Sequence, residues 1–551
     1  MIPTDPYIVG FSDSVHDRSV CLFHGTRPVV AIEEERLTRQ RYGIDFGGLD
    51  RRDEGVFRKL KLDAGSGDDH GRRLKPLIDY CLNAAGIRES DVTLWIGNSL
   101  HTAFPLYDRA VYINHHLAHA ASTYFGSGAA RAAVLVIDGY GDSVSSESYE
   151  TVSIYRAEGA EMELVHRVAG VPDGLHLSNS LGIFYRIATL LSGFGVVDEG
   201  KAMGLAGHGQ PRYSADIMKH VRFETDRVLI DNEAIWAGCQ HLRFDATGDQ
   251  ADVAASFQSV LEEIVLYYAR LAKTLTGEDH LCLAGGVALN CVSNQRVLES
   301  AGLATVWAFP AAADNGISFG AAYFGAHVLY RGGPAAGLKT PFLGRGYTRD
   351  EILAALETIA DGVVVEEVGP MECSRRAAVA IADGRLVMWF QEGSEIGPRA
   401  LGHRSLFGDP RLPHARDYIN ASVKSRESFR PLAPMVLEEE APEWFSCERS
   451  PYMMFTPSVR SQTRRVTPAV VHADGTARVQ TLTADDNAVV HAMLCEFKRL
   501  TGVPMVINTS FNIHGEPIVE TPLDAVRAFA DSPVPVLCID GFHVVKREHE
   551  Q

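Results

Sequence analysis

No run of about 18 uncharged apolar residues occurs in the 551-residue chain, so the sequence predicts no membrane-spanning helix. Residues 1–6, Met-Ile-Pro-Thr-Asp-Pro, show neither a basic opening nor an apolar stretch, and no secretory leader is expected. Cysteine is sparse. The nine cysteines (21, 81, 239, 282, 291, 373, 447, 495, 538) are scattered and form no CxxC pair. That pattern argues against a disulfide framework or a zinc ribbon, and predicts reduced thiols in a cytoplasmic protein. Positive charge is in deficit, with 52 basic residues against 70 acidic and a net charge of −18. A broad nucleic-acid surface does not fit that balance, whereas a local basic pocket for a small anion does. What remains is ordinary globular material: 46% apolar and 22% charged residues, enough for large cores in about two to four domains.

A strand–turn–strand unit occurs twice. Tyr7-Ile8-Val9-Gly10-Phe11 reads as a strand, followed by a polar turn at 12–18 and return strands at 19–23 and 29–33. Ala133-Val134-Leu135-Val136-Ile137 is a stronger strand that ends in Asp138-Gly139-Tyr140-Gly141-Asp142 and returns at 151–155. Residues 74–85 between the copies read as helical. Residues 252–274 carry apolar side chains at helical spacing, then a buried strand at 280–284 meets Gly285-Gly286 and a helix that begins with Val287. Helix, strand, double glycine, helix is a layout suited to a mononucleotide. Residues 332–346 are rich in Gly and Pro and mark a domain boundary, giving domains 1–345 and 346–551. The second half reads as α+β, with helices at 372–383 and 523–530 and strands at 386–390 and 504–507.

Four constellations carry chemistry. In His115-His116-Leu117-Ala118-His119, residues 115 and 119 stand four apart, on one face of a helix. Two readings are open: capping or core histidines, or a metal pair. Asp138 at a strand end and Asp314 before a Gly-rich turn favour the metal. Two His and two Asp suit Fe²⁺, Mn²⁺ or Zn²⁺ more than Ca²⁺, and His116 would face away. The second, Glu199-Gly200-Lys201-Ala202-Met203-Gly204, reads on its own as a tight turn with a surface lysine; the alternative is an anion contact through Lys201. The third is a set of cations in loops: Arg399 and Arg404 in EIGPRALGHRS, Lys424, Arg426 and Arg430 in VKSRESFRP, and Arg478 in DGTARV, with Asn508 and Ser510 in NTSFN. Arginine forks and neutral donors in loop contexts point to a phosphate pocket rather than to surface ion pairs. The fourth is the first hairpin turn, where His16 is either a general base or a turn histidine.

Taken in order, HHLAHA, EGKAMGLAGHG, LAGGVALN, EIGPRALGHRS, VKSRESFRPLAP, DGTARVQTL and NTSFNIHGEPIVETP make the chain resemble the NodU/CmcH family of O-carbamoyltransferases almost end to end. The resemblance implies an α/β chain with an N-terminal actin-like (ASKHA/TsaD-like) duplicated domain and a C-terminal YrdC-like twisted α/β domain. It implies formation of carbamoyladenylate from carbamoyl phosphate and ATP (with Mg²⁺) in the second domain, then transfer to a hydroxyl-bearing small molecule, as in antibiotic tailoring, in the first.

By the same resemblance Arg399, Lys424, Arg430, Arg478, Asn508 and Ser510 bind carbamoyl phosphate and ATP. Gly285, Gly286, Asn290 and Lys201 bind the nucleotide, and His115, His119, Asp138 and Asp314 hold a divalent metal, Fe²⁺ favoured. His16 activates the acceptor, and Arg39 or Arg41 lines the entrance. Residues 41–71 depart from the family spacing and are expected to form a lid or acceptor-binding insertion. Competing readings are threonylcarbamoyl transfer to tRNA, a non-catalytic actin-like nucleotide switch and a sugar kinase. The net charge speaks against a nucleic-acid partner, no membrane partner is expected, and a homodimer is one option.

Overall fold

A computed structural model describes residues 5–14, 16–44, 46, 49–53, 55–56, 67–98, 110–244, 249–513 and 515–547. The chain divides into two units. The N-terminal unit comprises Met1–Glu35 and Tyr42–Lys339, and the C-terminal unit comprises Arg36–Arg41 and Thr340–Gln551. The main division falls inside the Gly/Pro-rich stretch. A short segment from early in the chain nevertheless belongs to the C-terminal unit.

The N-terminal unit contains the same sheet twice. One copy orders its strands Arg27–Glu33, Ser19–His24, Tyr7–Ser12, Val92–Asn98, Val111–Ile113. The first three are antiparallel neighbours, and the last two add in parallel. The other copy orders Glu161–Gly170, Ser148–Glu158, Arg131–Ile137, His280–Ala284, Thr305–Ala308 with the same sense at every pairing. The central strand Arg131–Ile137 is buried beyond its first residue, which is why it reads as a continuous apolar run rather than an alternation. Helices His115–Ser127 and Ile317–Phe324 pack together so tightly that a Cβ on Gly320 would sit 1.7 Å from the Ala118 carbonyl oxygen. Glycine at 320 is therefore what lets the turn carrying Asp314 approach the helix carrying the histidines.

Two expectations are corrected here. Residues Glu199–Ala206 form a helix, not a tight turn. Its buried Ala202 and Ala206 give it a small-residue face, and packing against the helix Gln250–Thr276 outweighs the glycine penalty. After the double glycine the chain makes a 3-10 turn, Gly286–Leu289, before the helix Cys291–Ser300 starts. The start is set by Asn290, whose side chain caps Ser293 N–H at 3.0 Å.

The C-terminal unit is built on one mixed eight-stranded sheet. Its order is Val363–Glu367, Phe542–Lys546, Val536–Ile539, Val387–Phe390, Arg404–Gly408, Met505–Ser510, Ala433–Leu437, Gln480–Leu482. Helices Pro370–Ala382, Ala488–Thr501 and Pro522–Ala530 contribute to a core that includes Met388, Phe407, Val506 and Leu537. The segment Arg36–Arg41 is bound to this unit through arginine. Arg36 donates to the Gly397 carbonyl at 2.8 Å, and Arg39 to the carbonyls of Ile518 at 2.6 Å and Pro517 at 2.7 Å. Of the expected insertion at 41–71, positions 45, 47, 48, 54 and 57–66 lie outside the described residues.

Candidate metal centre and anion pocket

The histidine helix has a fixed start. Asn114 accepts from Leu117 N–H at 2.9 Å and donates to Asp142 Oδ2 and Glu150 Oε2 at 2.9 and 2.8 Å. Asp142 Oδ2 also accepts the His115 backbone N–H at 2.9 Å. Two more elements supply carboxylates: Asp138 follows the strand Arg131–Ile137, and Asp314 opens the 3-10 turn Asp314–Gly316.

His115, His119, Asp138 and Asp314 are all buried, and one ligand atom from each lies within 4.8 Å of the others. His115 Nε2 is 3.1 Å from Asp138 Oδ2 and 3.7 Å from Asp314 Oδ1. His119 Nε2 is 3.6 and 3.5 Å from the same two atoms. Ligands about 2.1 Å from a tetrahedral ion stand about 3.4 Å apart, and the four imidazole-to-carboxylate distances lie close to that spacing. Both ring nitrogens of His119 are buried without a hydrogen-bond partner, a costly state that a cation at Nε2 relieves in part. The residues therefore fit a divalent metal.

Neighbours orient the ligands. The N–H of Gly286 donates to Asp138 Oδ1 at 3.0 Å, leaving Oδ2 for the cluster. Gly285 has φ +89°, and a Cβ there would meet the Ile137 carbonyl oxygen at 2.2 Å. The double glycine is thus needed for close approach to the Asp138 strand. Behind His115, the Asn98 amide lies 3.2 Å from Nδ1. Asn98 Oδ1 is otherwise unpartnered. As placed, Asn98 Nδ2 donates to Nδ1 and the Nε2 proton faces Asp138 Oδ2; a metal at Nε2 would call for the amide turned over, with Oδ1 accepting from Nδ1–H.

The electrostatics describe a site short of positive charge. Burial opposes ionisation of Asp138, but the hydrogen bond from His115 and the attraction of the His119 imidazole 3.6 Å away win and hold its carboxyl well below the usual range. Burial would lower His119, yet Asp138 and Asp314 raise it to about 9. In the absence of a metal, protons on imidazole supply the missing charge. His116 differs: burial and then His115 push it well below its ordinary value, and its Nδ1 pairs with Ser153 Oγ at 2.8 Å. It faces away from the four ligands, as its place on the helix predicts.

The remaining residues of this unit are placed as follows. His16 Nδ1 is 3.0 Å from Asp17 Oδ2. Burial lowers its pKa, but Asp17, Asp314 and Asp138 together raise it to about 9. Lys201 Nζ lies 3.2 Å from Asp198 Oδ2. Asn290, besides its cap, exchanges hydrogen bonds with the Gln258 amide at 2.8 and 3.1 Å.

The C-terminal unit presents the opposite situation. Lys424 is buried, and its Nζ donates to the Ser510 carbonyl, the Asn512 carbonyl and Asn512 Oδ1, using all three of its hydrogens on neutral acceptors. Burial, then Arg426 and Arg430, drives its pKa well down. Arg426 is lowered to about 9 by burial, with Arg430, Arg478 and Arg41 adding to the shift and Glu427 opposing it. Arg430 Nη1 is 3.7 Å from Glu427 Oε2. Buried polar atoms without a hydrogen-bond partner include Arg426 Nη2, Arg478 Nε, Ser405 Oγ and Asn508 Oδ1. Asn508 donates to the Ala400 carbonyl at 3.0 Å and to Gln480 Oε1 at 2.7 Å. Ser510 Oγ donates to Asn512 Oδ1 at 2.7 Å. The loop bearing half-buried Arg399 is folded around Glu395, whose Oε1 accepts the N–H groups of Leu401, His403 and Arg404. Arg404 itself is consumed structurally, donating to the carbonyls of Gln391 and Glu392 at 2.7 Å each.

Two family models account for most of the chain: "Carbamoyltransferase N-terminus" matches residues 7–323 and "Carbamoyltransferase C-terminus" residues 378–546. The chain belongs to the carbamoyltransferase family. This carbamoyltransferase is 33% identical to nodulation protein NolNO of Sinorhizobium fredii, over 97% of its own length and 79% of that protein. It is 36% identical to nodulation protein NolO of Bradyrhizobium diazoefficiens over 79% of each chain. Among solved structures, full-length HypF in a phosphate- and nucleotide-bound form is similar with a TM-score of 0.37 and 14% identity, covering 59% of this chain and 46% of that one. The carbamoyltransferase is a transferase, and its family implies a carbamoyl donor and an acceptor. Among its described residues, no helix is long and apolar enough to cross a membrane.

Sequence reasoning left several contributors to these two sites without a role. Arg426 was visible in the cationic block but had no task of its own. Asn512 lies in the quoted NTSFN block, two residues beyond Ser510. Asn98 and Asn420 lie outside every block. Asn98 ends an apolar strand, as Asp138 follows one, and that position was the available signal.

Proposed function

We propose that this carbamoyltransferase is ATP-dependent and O-specific, with transfer in an actin-like domain, residues 1–345, and adenylate formation in a YrdC-like domain, residues 346–551. In the second domain water cleaves carbamoyl phosphate to carbamate and phosphate. A carbamate oxygen then attacks the α-phosphorus of ATP (bound with Mg²⁺), and pyrophosphate leaves. In the first domain an acceptor hydroxyl attacks the carbamoyl carbon of the adenylate, giving the O-carbamate and AMP. The observation that carries this reading is a buried cationic cluster with unpartnered donors in a chain of this family.

Arg399, Arg430, Arg478 and Asn508 bind the phosphates. Lys424 holds the Ser510 and Asn512 carbonyls and adds its field, a role supported by its three hydrogen bonds. Gly285, Gly286, Asn290 and Lys201 border the nucleotide of the adenylate. His115, His119, Asp138 and Asp314 would hold a divalent metal, Fe²⁺ favoured, which when bound supplies Lewis-acid neutralisation of the leaving AMP phosphate. His16 takes the acceptor proton. Its neutral form is needed for that step; Asp17 gives the largest upward pull, and a cation held by Asp138 and Asp314 would offset only the share those two carboxylates add. The acceptor is a small hydroxyl compound of the natural-product type, and the protein is cytoplasmic.

The test is pyrophosphate release from ATP by the purified chain, with and without carbamoyl phosphate and with no acceptor. Release that requires carbamoyl phosphate is the expected result. A folded, metal-loaded chain that binds both substrates and releases none, even with a panel of hydroxyl acceptors, rejects the reading.

A further inference from the structure

The cations of the C-terminal pocket are not equivalent. Lys424 has spent its hydrogens on neutral acceptors. Arg430 has Glu427 beside it at 3.7 Å. Arg426 is different. Its backbone N–H donates to the Asn420 carbonyl at 2.9 Å and its Nε to Asn420 Oδ1 at 2.7 Å. The Asn420 amide in turn donates to the carbonyl of Arg430 at 2.9 Å and to that of Ser428 at 3.4 Å. One buried asparagine thus ties the loop at residues 426, 428 and 430 and clamps one edge of the Arg426 guanidinium. Arg426 Nη2 is left buried with no hydrogen-bond partner, and the adjacent Ser425 has φ +44°, a conformation uncommon for a residue with a side chain.

We infer that Arg426 is a phosphate-binding residue of this pocket, held by Asn420 so that its Nη2 donates to a phosphate oxygen. The inference rests on the proposed phosphate chemistry and adds a ligand to it. A phosphate group brings about −1.5 to −2 charges at neutral pH. Arg41, Arg426, Arg430 and Arg478 crowd together here beside Glu427, more positive charge than one such group balances. The surplus suits a site that holds two phosphate-bearing molecules side by side, which is what joining carbamoyl phosphate to ATP demands. Clamping one edge of a guanidinium while leaving Nη2 unpartnered is also economical, because the rotamer entropy of the arginine is already lost before the anion arrives.

The experiment uses the full chain, with inorganic pyrophosphate as the probe, in titration calorimetry on wild type, Arg426→Gln and Arg426→Lys. Arg426→Gln is expected to weaken pyrophosphate binding at least tenfold. In carbamoyl-phosphate-dependent pyrophosphate release the same change raises KM for ATP or carbamoyl phosphate by a similar factor and alters kcat less. Arg426→Lys keeps the charge, loses the planar fork and falls between the two. Binding within twofold of wild type by Arg426→Gln, with an unchanged thermal transition, overturns the assignment, as does wild type that fails to bind pyrophosphate. If Arg426→Gln does not fold, a folded Arg426→Lys with wild-type binding overturns it equally. Wild type that binds pyrophosphate through Arg426 yet releases none from ATP rejects the proposed reaction and leaves the anion site standing.

Discussion

The two units are charged puzzles of opposite sign. In the N-terminal unit two buried carboxylates and two imidazoles crowd within 4.8 Å, and the pKa of His119 rises because positive charge is wanted. In the C-terminal unit buried cations crowd together, and their pKa values fall through burial and then mutual repulsion. The means of construction also differ. The cation-seeking site hangs on three regular elements and one close helix contact at Gly320. The anion-seeking site hangs on loops tied by asparagine and glutamate side chains, Asn420, Asn512 and Glu395. A small ion with fixed coordination distances needs rigid ligands, whereas phosphates of varied shape suit side chains on side-chain-braced loops.

The comparison can be broken most forcefully at Lys424. Lys424→Ala removes a cation and releases the Ser510–Asn512 backbone, so carbamoyl-phosphate-dependent pyrophosphate release should fall by about 100-fold or more, the scale set by loss of a transition-state contact of a few kcal/mol. A variant that retains a tenth of the wild-type rate in that assay contradicts the role given to it. His119→Ala should strike the other unit alone. Metal content measured by elemental analysis drops to background and acceptor carbamoylation stops, while pyrophosphate release stays within about twofold of wild type, because the proposed adenylate chemistry belongs to the other unit.

The third effect is graded. His119 keeps a proton up to about pH 9 without metal, and metal must displace it. Apparent affinity should therefore rise about tenfold per pH unit between 7 and 9 and level off above; a flat profile in competition titrations would mean that His119 is not a ligand. The smallest effect belongs to Asn98, which touches His115 from behind. Asn98→Ala should weaken metal binding about tenfold with the ligand set intact, and unchanged affinity would show that the His115 tautomer is set elsewhere.

Much of the cation-seeking site could be read from sequence because its cues are local. A four-residue histidine spacing, an Asp after an apolar strand and an Asp before a glycine each signal their geometry within a few positions. The repeated hairpin was legible for the same reason, and the matching strand orders extend it. The stretch at 199–206 was misread because glycine-rich composition argues for a turn, while the helix is maintained by packing against residues some fifty positions later. In the cationic block, residue types could be read but not their separate tasks. What distinguishes Arg404, bound to carbonyls, from Arg426, left with an unpartnered donor, is the set of neighbours each meets, and neighbours such as Glu392 and Asn420 carry no sequence mark of that duty.

The excursion of Arg36–Arg41 into the C-terminal unit bears on how the protein is made. These six residues leave the ribosome some three hundred residues before the sheet that receives them. Until that sheet exists, the carbonyls of Gly397, Pro517 and Ile518 are not there to bind Arg36 and Arg39. The C-terminal unit is therefore finished by a piece of chain that has waited through the synthesis of nearly everything else, a high-contact-order closure of the kind that folds slowly. It also means that a gene cut at position 340 yields a downstream product missing part of its own fold, and that supplying the hexapeptide in trans is a more faithful way to reconstitute it than lengthening the fragment by a few residues.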